Sequence, residues 1–125
     1  MSLFLSRWAK LYTKPTKSEQ SLEPEIAKLG RCYRAQHPVF AAGVILDFAI
    51  LDDRIAIEVD GDSHRRKGAA ERDRERTLKL ERLGWVVVRC TNQEALTEPA
   101  ATVQRLLLEA KDRRNALKIL RDTHG

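Results

Sequence analysis

The stretch that most constrains this chain covers residues 44–64 and reads VILDFAILDDRIAIEVDGDSH. Two runs rich in branched and aromatic residues, 44–51 and 54–59, are separated only by Asp52 and Asp53. Such runs on either side of a two-residue polar break predict a β-hairpin. With Asp52 and Asp53 as the loop, Leu46 faces Val59, Phe48 faces Ile57 and Ile50 faces Ile55, an apolar face that must be buried. The other face sets Ile45 against Asp60, Asp47 against Glu58, Ala49 against Ala56 and Leu51 against Arg54. Asp-Asp is a weaker turn former than Asn-Gly, so a longer loop or a bulge is the alternative to this register.

Side chains alternate faces along a strand, which puts Asp47, Glu58 and Asp60 on one side. Like charges directly opposed across two strands are destabilising. Three carboxylates converging in a strongly β-forming hairpin therefore call for a compensating partner. A divalent cation such as Mg²⁺, which favours carboxylate oxygens and keeps several waters, is the natural one. The plain alternative is a solvated acidic face. Ala49 and Ala56 argue against it, because small apolar side chains beside the acids predict a half-covered face.

A chain of 125 residues with 42% hydrophobic and 33% charged content fits one domain with its own core. No run approaches the roughly 18 apolar residues that a membrane span needs. The start, MSLFLSRWAKLYTK, places its basic residues after its apolar patch, unlike a secretory signal, so the expected location is cytoplasmic. Cys32 and Cys90 fall in no zinc-binding spacing and read as reduced, small hydrophobic residues in strand-like surroundings. The net charge of +5 has a direction. Lys and Arg concentrate in the N-terminal arm, in residues 65–82 and in the last helix, a balance that attracts polyanions, nucleic acid above all.

Taken in order, residues 1–17 read as an N-terminal arm or docking helix, and 18–125 as a single domain. Residues 18–30 predict a helix with Glu19, Leu22, Ile26 and Leu29 on one stripe and Gly30 as the stop. Pro24 suits a first turn, so Ser21 is a second candidate cap, with residues 18–21 as a preceding turn. Glu19 extends the apolar stripe, and Glu23 is the alternative inward acid if the helix starts later. The helix dipole alone also accounts for a glutamate in a first turn. Residues 31–36 predict a short strand ended by His37-Pro38. Residues 68–83 predict a charged helix with Ala69, Arg76, Thr77, Leu80 and Leu83 inward, Asp73 at the edge, and Arg72, Arg74 and Arg82 outward. The apolar run at 85–90 predicts a buried central strand. A long last helix follows Thr97-Glu98-Pro99, with a stripe of Val103, Leu106, Leu107, Ala110, Leu117 and Leu120. This order of elements describes an α/β fold, one mixed β-sheet flanked by helices, with an extra C-terminal helix.

The stretches YRAQHP (33–38), LDFAI (46–50), IAIEVDGDSH (55–64), DRER with the following LGW (73–85) and VVVRCTN (86–92) together resemble the PD-(D/E)XK nuclease superfamily. Within it they look most like the branch related to very-short-patch-repair (Vsr) endonucleases. The resemblance implies a restriction-endonuclease-like αβββαβ core and metal-dependent hydrolysis of DNA phosphodiesters with Mg²⁺ or Mn²⁺. Asp47 matches the first motif aspartate and Glu58 the acid of the (D/E)-x-K element. The lysine position is occupied by Asp60, and Leu46 replaces the proline before the first aspartate.

The resemblance makes Asp47, Glu58 and Asp60 the metal ligands and His64 the candidate for the lysine's role. Glu19 or Glu23 matches the helical glutamate of such sites. Arg65, Arg66 and Lys67, with Arg72 and Arg76 beside the acidic site, would grip flanking phosphates. Double-strand cutting would call for a homodimer or a partner protein. The alternative reading is a catalytically inactive DNA-binding or assembly module with a nuclease-like fold, favoured by Asp60 at the lysine position. A hydrolase of small phosphates would leave the basic surface unexplained.

Overall fold

The computed structural model describes residues 14–61 and 68–124. Most of the expected arm, and the segment holding His64, Arg65, Arg66 and Lys67, lie outside the described residues. The elements are α1 (Lys17–Ala27), β1 (Tyr33–Val39), a 3₁₀ turn at Phe40–Ala42, β2 (Val44–Ile50), β3 (Ile55–Asp60), α2 (Ala69–Arg82), β4 (Val86–Thr91), α3 (Asn92–Thr97) and α4 (Pro99–His124). The strands lie in the order β1-β2-β3-β4; the first two pairings are antiparallel and β3 runs parallel to β4. This is the expected mixed sheet between helices.

The hairpin pairs Phe48 with Ile57, Ala49 with Ala56 and Ile50 with Ile55, in the register the sequence predicts. The ladder ends there. Leu51 and Arg54 belong to the turn instead of facing each other as a pair, and Arg54 adopts a left-handed φ of 51°. Two aspartates serve this turn because their carboxylates tie it down. Asp52 accepts a hydrogen bond from the Cys32 N–H at 3.0 Å, and Asp53 accepts one from Arg31 at 2.6 Å. Arg114 of α4 donates to the Asp53 carbonyl from the other side.

Two cores follow from the two faces of the sheet. Phe48, Ile50, Ile57, Val86 and Val88 pack against Leu22 and Ile26 of α1 and Val103 and Leu106 of α4. Val39, Ala49, Ala56, Trp85 and Val87 pack against Leu80 of α2. Leu46, which strict alternation groups with Phe48, lies in this second core. Between the Ala35–Phe48 and His37–Leu46 pairs, Gln36 has a φ of 50°, and the break in regular backbone there lets Leu46 turn to the other side.

Other departures also have local causes. Strand β1 continues through His37 and Pro38 to Val39, with Pro38 opposite Ile45. It is an edge strand, where a residue without an N–H is tolerated. Strand β4 is not central but forms the opposite edge of the described sheet; its apolar run is explained by helices covering both of its faces. Leu120 is exposed, as is Ile119, in the last turns of α4 beyond Leu117, the last of its residues packed on the core; Leu108 is exposed on the outer side of the same helix. Cys90 is buried but Cys32 is exposed. Among the described residues no helix is long and apolar enough to cross a membrane.

Helix α1 begins at Lys17, not at Ser21. Thr16 caps it, its hydroxyl accepting the Glu19 N–H at 3.1 Å while the Glu19 carboxyl accepts the Thr16 N–H at 3.3 Å. Pro24 lies inside the helix on an exposed position, where solvent can meet the carbonyl it leaves without an N–H. Thr16→Ala is expected to cost about 1 kcal/mol in urea unfolding, since it removes the hydroxyl that accepts the Glu19 N–H.

Candidate active site

Strands β2 and β3 part at the acids. Beyond Phe48–Ile57, β2 continues to pair with β1, while β3 continues to pair with β4 through Glu58–Arg89, Val59–Cys90 and Asp60–Thr91. The sheet therefore forks between residues 47 and 58, where a continued ladder would oppose two carboxylates. Asp47 fills the fork. Its Oδ2 accepts the Val59 N–H at 2.7 Å, satisfying a donor that the open ladder would leave without a partner. Its carboxyl also lies within hydrogen-bonding reach of the Glu58 carboxyl.

Glu58 is buried. Burial pushes its carboxyl up to about 8; the charges of Arg76 and Arg89 pull it back down, and the charge of Asp47 pushes it further up. Arg76, from α2, spans the fork, its Nη2 donating to Glu58 Oε1 at 2.8 Å and to the Ile45 carbonyl at 3.1 Å. Its Nε is buried without a hydrogen-bond partner among the described residues. The sequence expects Arg76 to grip a phosphate; in the structure its guanidinium stitches β2 to β3 and faces the acid. Arg72, one turn earlier on α2, is exposed.

Glu19, at the start of α1, is buried, and its carboxyl is raised by that burial and next by the charge of Asp47. Its hydrogen bonds from Thr16 pull the other way. The fold thus brings the helical acid Glu19 towards the fork, with Glu23 half-buried one turn further along. Asp60 is half-buried beside Thr91, two positions beyond Glu58 on the same strand. Among the described residues no three of His, Cys, Asp and Glu gather closely enough to hold a metal ion. The described site is a carboxyl pair, Asp47 and Glu58, with Glu19 and Asp60 around it.

The pair nonetheless suits a hard cation. Both donors are carboxyl oxygens, and burial opposes the ionisation of Glu58 even with Arg76 in contact. A divalent ion held by one or two carboxylates and its own waters would supply the missing positive charge. Nearby Cys90 is no nucleophile, since burial pushes its thiol up to about 12.

Two contributors are absent from the sequence reading. Thr16, which anchors Glu19, was visible as the T-x-x-E pattern of a capping box. Arg89, the register partner of Glu58, sits in an apolar run whose local pattern carries no sign of it.

A model of the REase_MTES_1575 restriction-endonuclease family matches residues 19–109, from the helical glutamate through all four described strands into α4. The chain belongs to the REase_MTES_1575 family. An uncharacterized protein of Haemophilus influenzae (strain Rd) is 31% identical over 102 residues, 79% of this chain and 83% of that protein. The uncharacterized protein YcjD of Escherichia coli K12 is 37% identical over 81 residues, 65% of this chain and 66% of its own length. Among solved structures, the catalytic domain of the homing endonuclease I-Bth0305I superposes with a TM-score of 0.57, covering 76% of this chain and 97% of that domain at 19% identity. That likeness shows a shared restriction-endonuclease-like fold. The matched family span contains Glu19, Asp47, Glu58, Asp60 and Arg76 of this REase_MTES_1575 chain.

Proposed function

We infer that this chain is a DNA endonuclease that hydrolyses phosphodiester bonds with Mg²⁺ or Mn²⁺, in the branch related to Vsr endonucleases. The observation that carries this reading is the fork that brings the Asp47 carboxyl beside the buried Glu58 carboxyl. Asp47 and Glu58 would hold the ion, with Asp60 reaching it through water. Such an ion would supply Lewis-acid chemistry there, polarising a phosphoryl oxygen, lowering the pKa of water and neutralising charge on the leaving oxygen.

The chain's own groups do the rest. Arg76 keeps Glu58 aimed into the fork. Glu19 adds a third carboxyl from α1. An imidazole can accept a proton near neutral pH, and His64 is the proposed proton acceptor. Arg65, Arg66, Lys67 and Arg72 would hold flanking phosphates. His64→Ala is expected to slow cleavage roughly 10- to 100-fold at neutral pH; an unchanged rate there removes His64 from the mechanism.

The test incubates purified protein with supercoiled, linear and branched DNA, with Mg²⁺ or Mn²⁺ and with or without chelator. Chelator-sensitive cleavage of at least one substrate is the expected result. One observation favours the second reading, an inactive DNA-binding module: Arg76 already occupies one Glu58 oxygen. DNA binding without cleavage under every metal condition would decide for it.

A further inference from the structure

A cavity of about 490 Å³ opens beside β4, between α2 and α4. Its polar wall consists of Asp73, Arg74, Thr77 and Glu81 from α2, Arg89 from β4 and Arg113 from α4. Two of the three arginines are held in place. Arg89 Nη2 donates to the buried Thr77 Oγ1 at 2.7 Å, and Arg113 Nη2 lies 3.6 Å from Glu81 Oε2. Arg89 is also the cross-strand partner of Glu58, so this wall begins one strand away from the acid pair. Adjacent strands lie about 4.8 Å apart. Three guanidinium groups against two carboxylates leave one net positive charge, the complement of a single phosphodiester. Guanidinium groups that line one open cavity from three elements suit phosphate oxygens.

We propose that this cavity is a phosphate-binding subsite that seats one backbone phosphate of the nucleic-acid strand bound at the acid pair. The proposal rests on the nuclease reading of Asp47 and Glu58. It assigns strand binding to Arg74, Arg89 and Arg113, in addition to the basic residues at 65–67 of the sequence. Thr77 and Glu81 act by orienting two of these arginines.

The test measures binding of a duplex oligonucleotide by the full chain in chelator, where no cleavage occurs, as a function of salt. Wild type is compared with Arg74→Ala, Arg113→Ala and the double variant, and thermal melts check folding. Both side chains are on exposed positions, so the melts should be close to wild type.

Loss of one phosphate contact flattens the slope of log affinity against log salt by about 0.9, which at 0.1 M salt is roughly eightfold in affinity. That change in the double variant, equal across DNA sequences, is the expected result. Unchanged affinity and slope in the double variant would overturn the subsite while leaving metal-dependent cleavage by the wild type to stand separately. Absence of DNA binding by the wild type would overturn it as well. A third arm titrates inorganic phosphate. If phosphate binds the wild type and not the double variant while DNA binding is the same for both, the cavity takes a free ion and the proposal fails.

Discussion

Asp47→Ala is expected to reduce metal-dependent DNA cleavage by roughly 10³-fold or more, since a catalytic ion contributes several kcal/mol of transition-state stabilisation. The same substitution strips the Val59 N–H of its acceptor inside the fork. That loss costs about 1–3 kcal/mol of stability, so an inactive Asp47→Ala protein is ambiguous by itself. Asp47→Asn separates the two effects. Its amide oxygen can still accept the Val59 N–H, which keeps urea stability within about 1 kcal/mol of wild type, while the charge that holds a cation is gone. Full cleavage by Asp47→Asn would remove the acid pair from the mechanism, whatever the fold of the chain.

The second large effect is on Glu58. Its carboxyl sits at about 8 in the folded protein against 4.5 ordinarily, mainly because it is buried. Between those two values the folded chain holds a proton that the unfolded chain has released. Metal-free stability therefore falls as pH rises through that window, by on the order of a few kcal/mol. Below it both states are protonated and the penalty is absent; above it the penalty is complete.

Glu58→Gln is expected to abolish this fall, keep an oxygen for Arg76, and be the more stable protein above pH 8, though inactive. Added Mg²⁺ at that pH should raise the melting temperature of the wild type and leave Glu58→Gln unmoved. A wild-type stability that is flat or rises between pH 5 and 8, or Mg²⁺ stabilisation equal in both proteins, counts against a buried carboxyl awaiting a cation. A stability cost of this kind is one that functional sites commonly carry.

The acid pair was legible early because strand periodicity is short and rigid. Two apolar runs around Asp52-Asp53 admit few registers, and the pairs Phe48–Ile57 and Ile50–Ile55 follow from burying their large side chains. The helix-strand order and the inward face of α2 at Thr77 and Leu80 came from the same kind of pattern. What that pattern missed lies where backbone regularity stops. Alternation puts Asp47 and Glu58 opposite each other in a continuous ladder; in the structure the ladder ends at Phe48–Ile57, and Asp47 becomes the acceptor for the Val59 N–H that the opening leaves over. The side of the sheet that Leu46 joins depends on a second break, the one at Gln36 between β1 and β2.

Sequence alone determined that two strands would carry acids to one side of a hairpin, because side-chain alternation is a local property of the extended chain. Only the tertiary structure decided what stands against those acids. Arg76 reaches Glu58 from a helix 18 residues further along the chain, Arg89 reaches its vicinity through a parallel strand pairing, and Glu19 approaches Asp47 from the first helix. Contacts of that kind depend on how separate elements pack across a buried face, and no local spacing encodes them. The rise of the Glu58 carboxyl is decided there too, since burial is a property of the assembled layers.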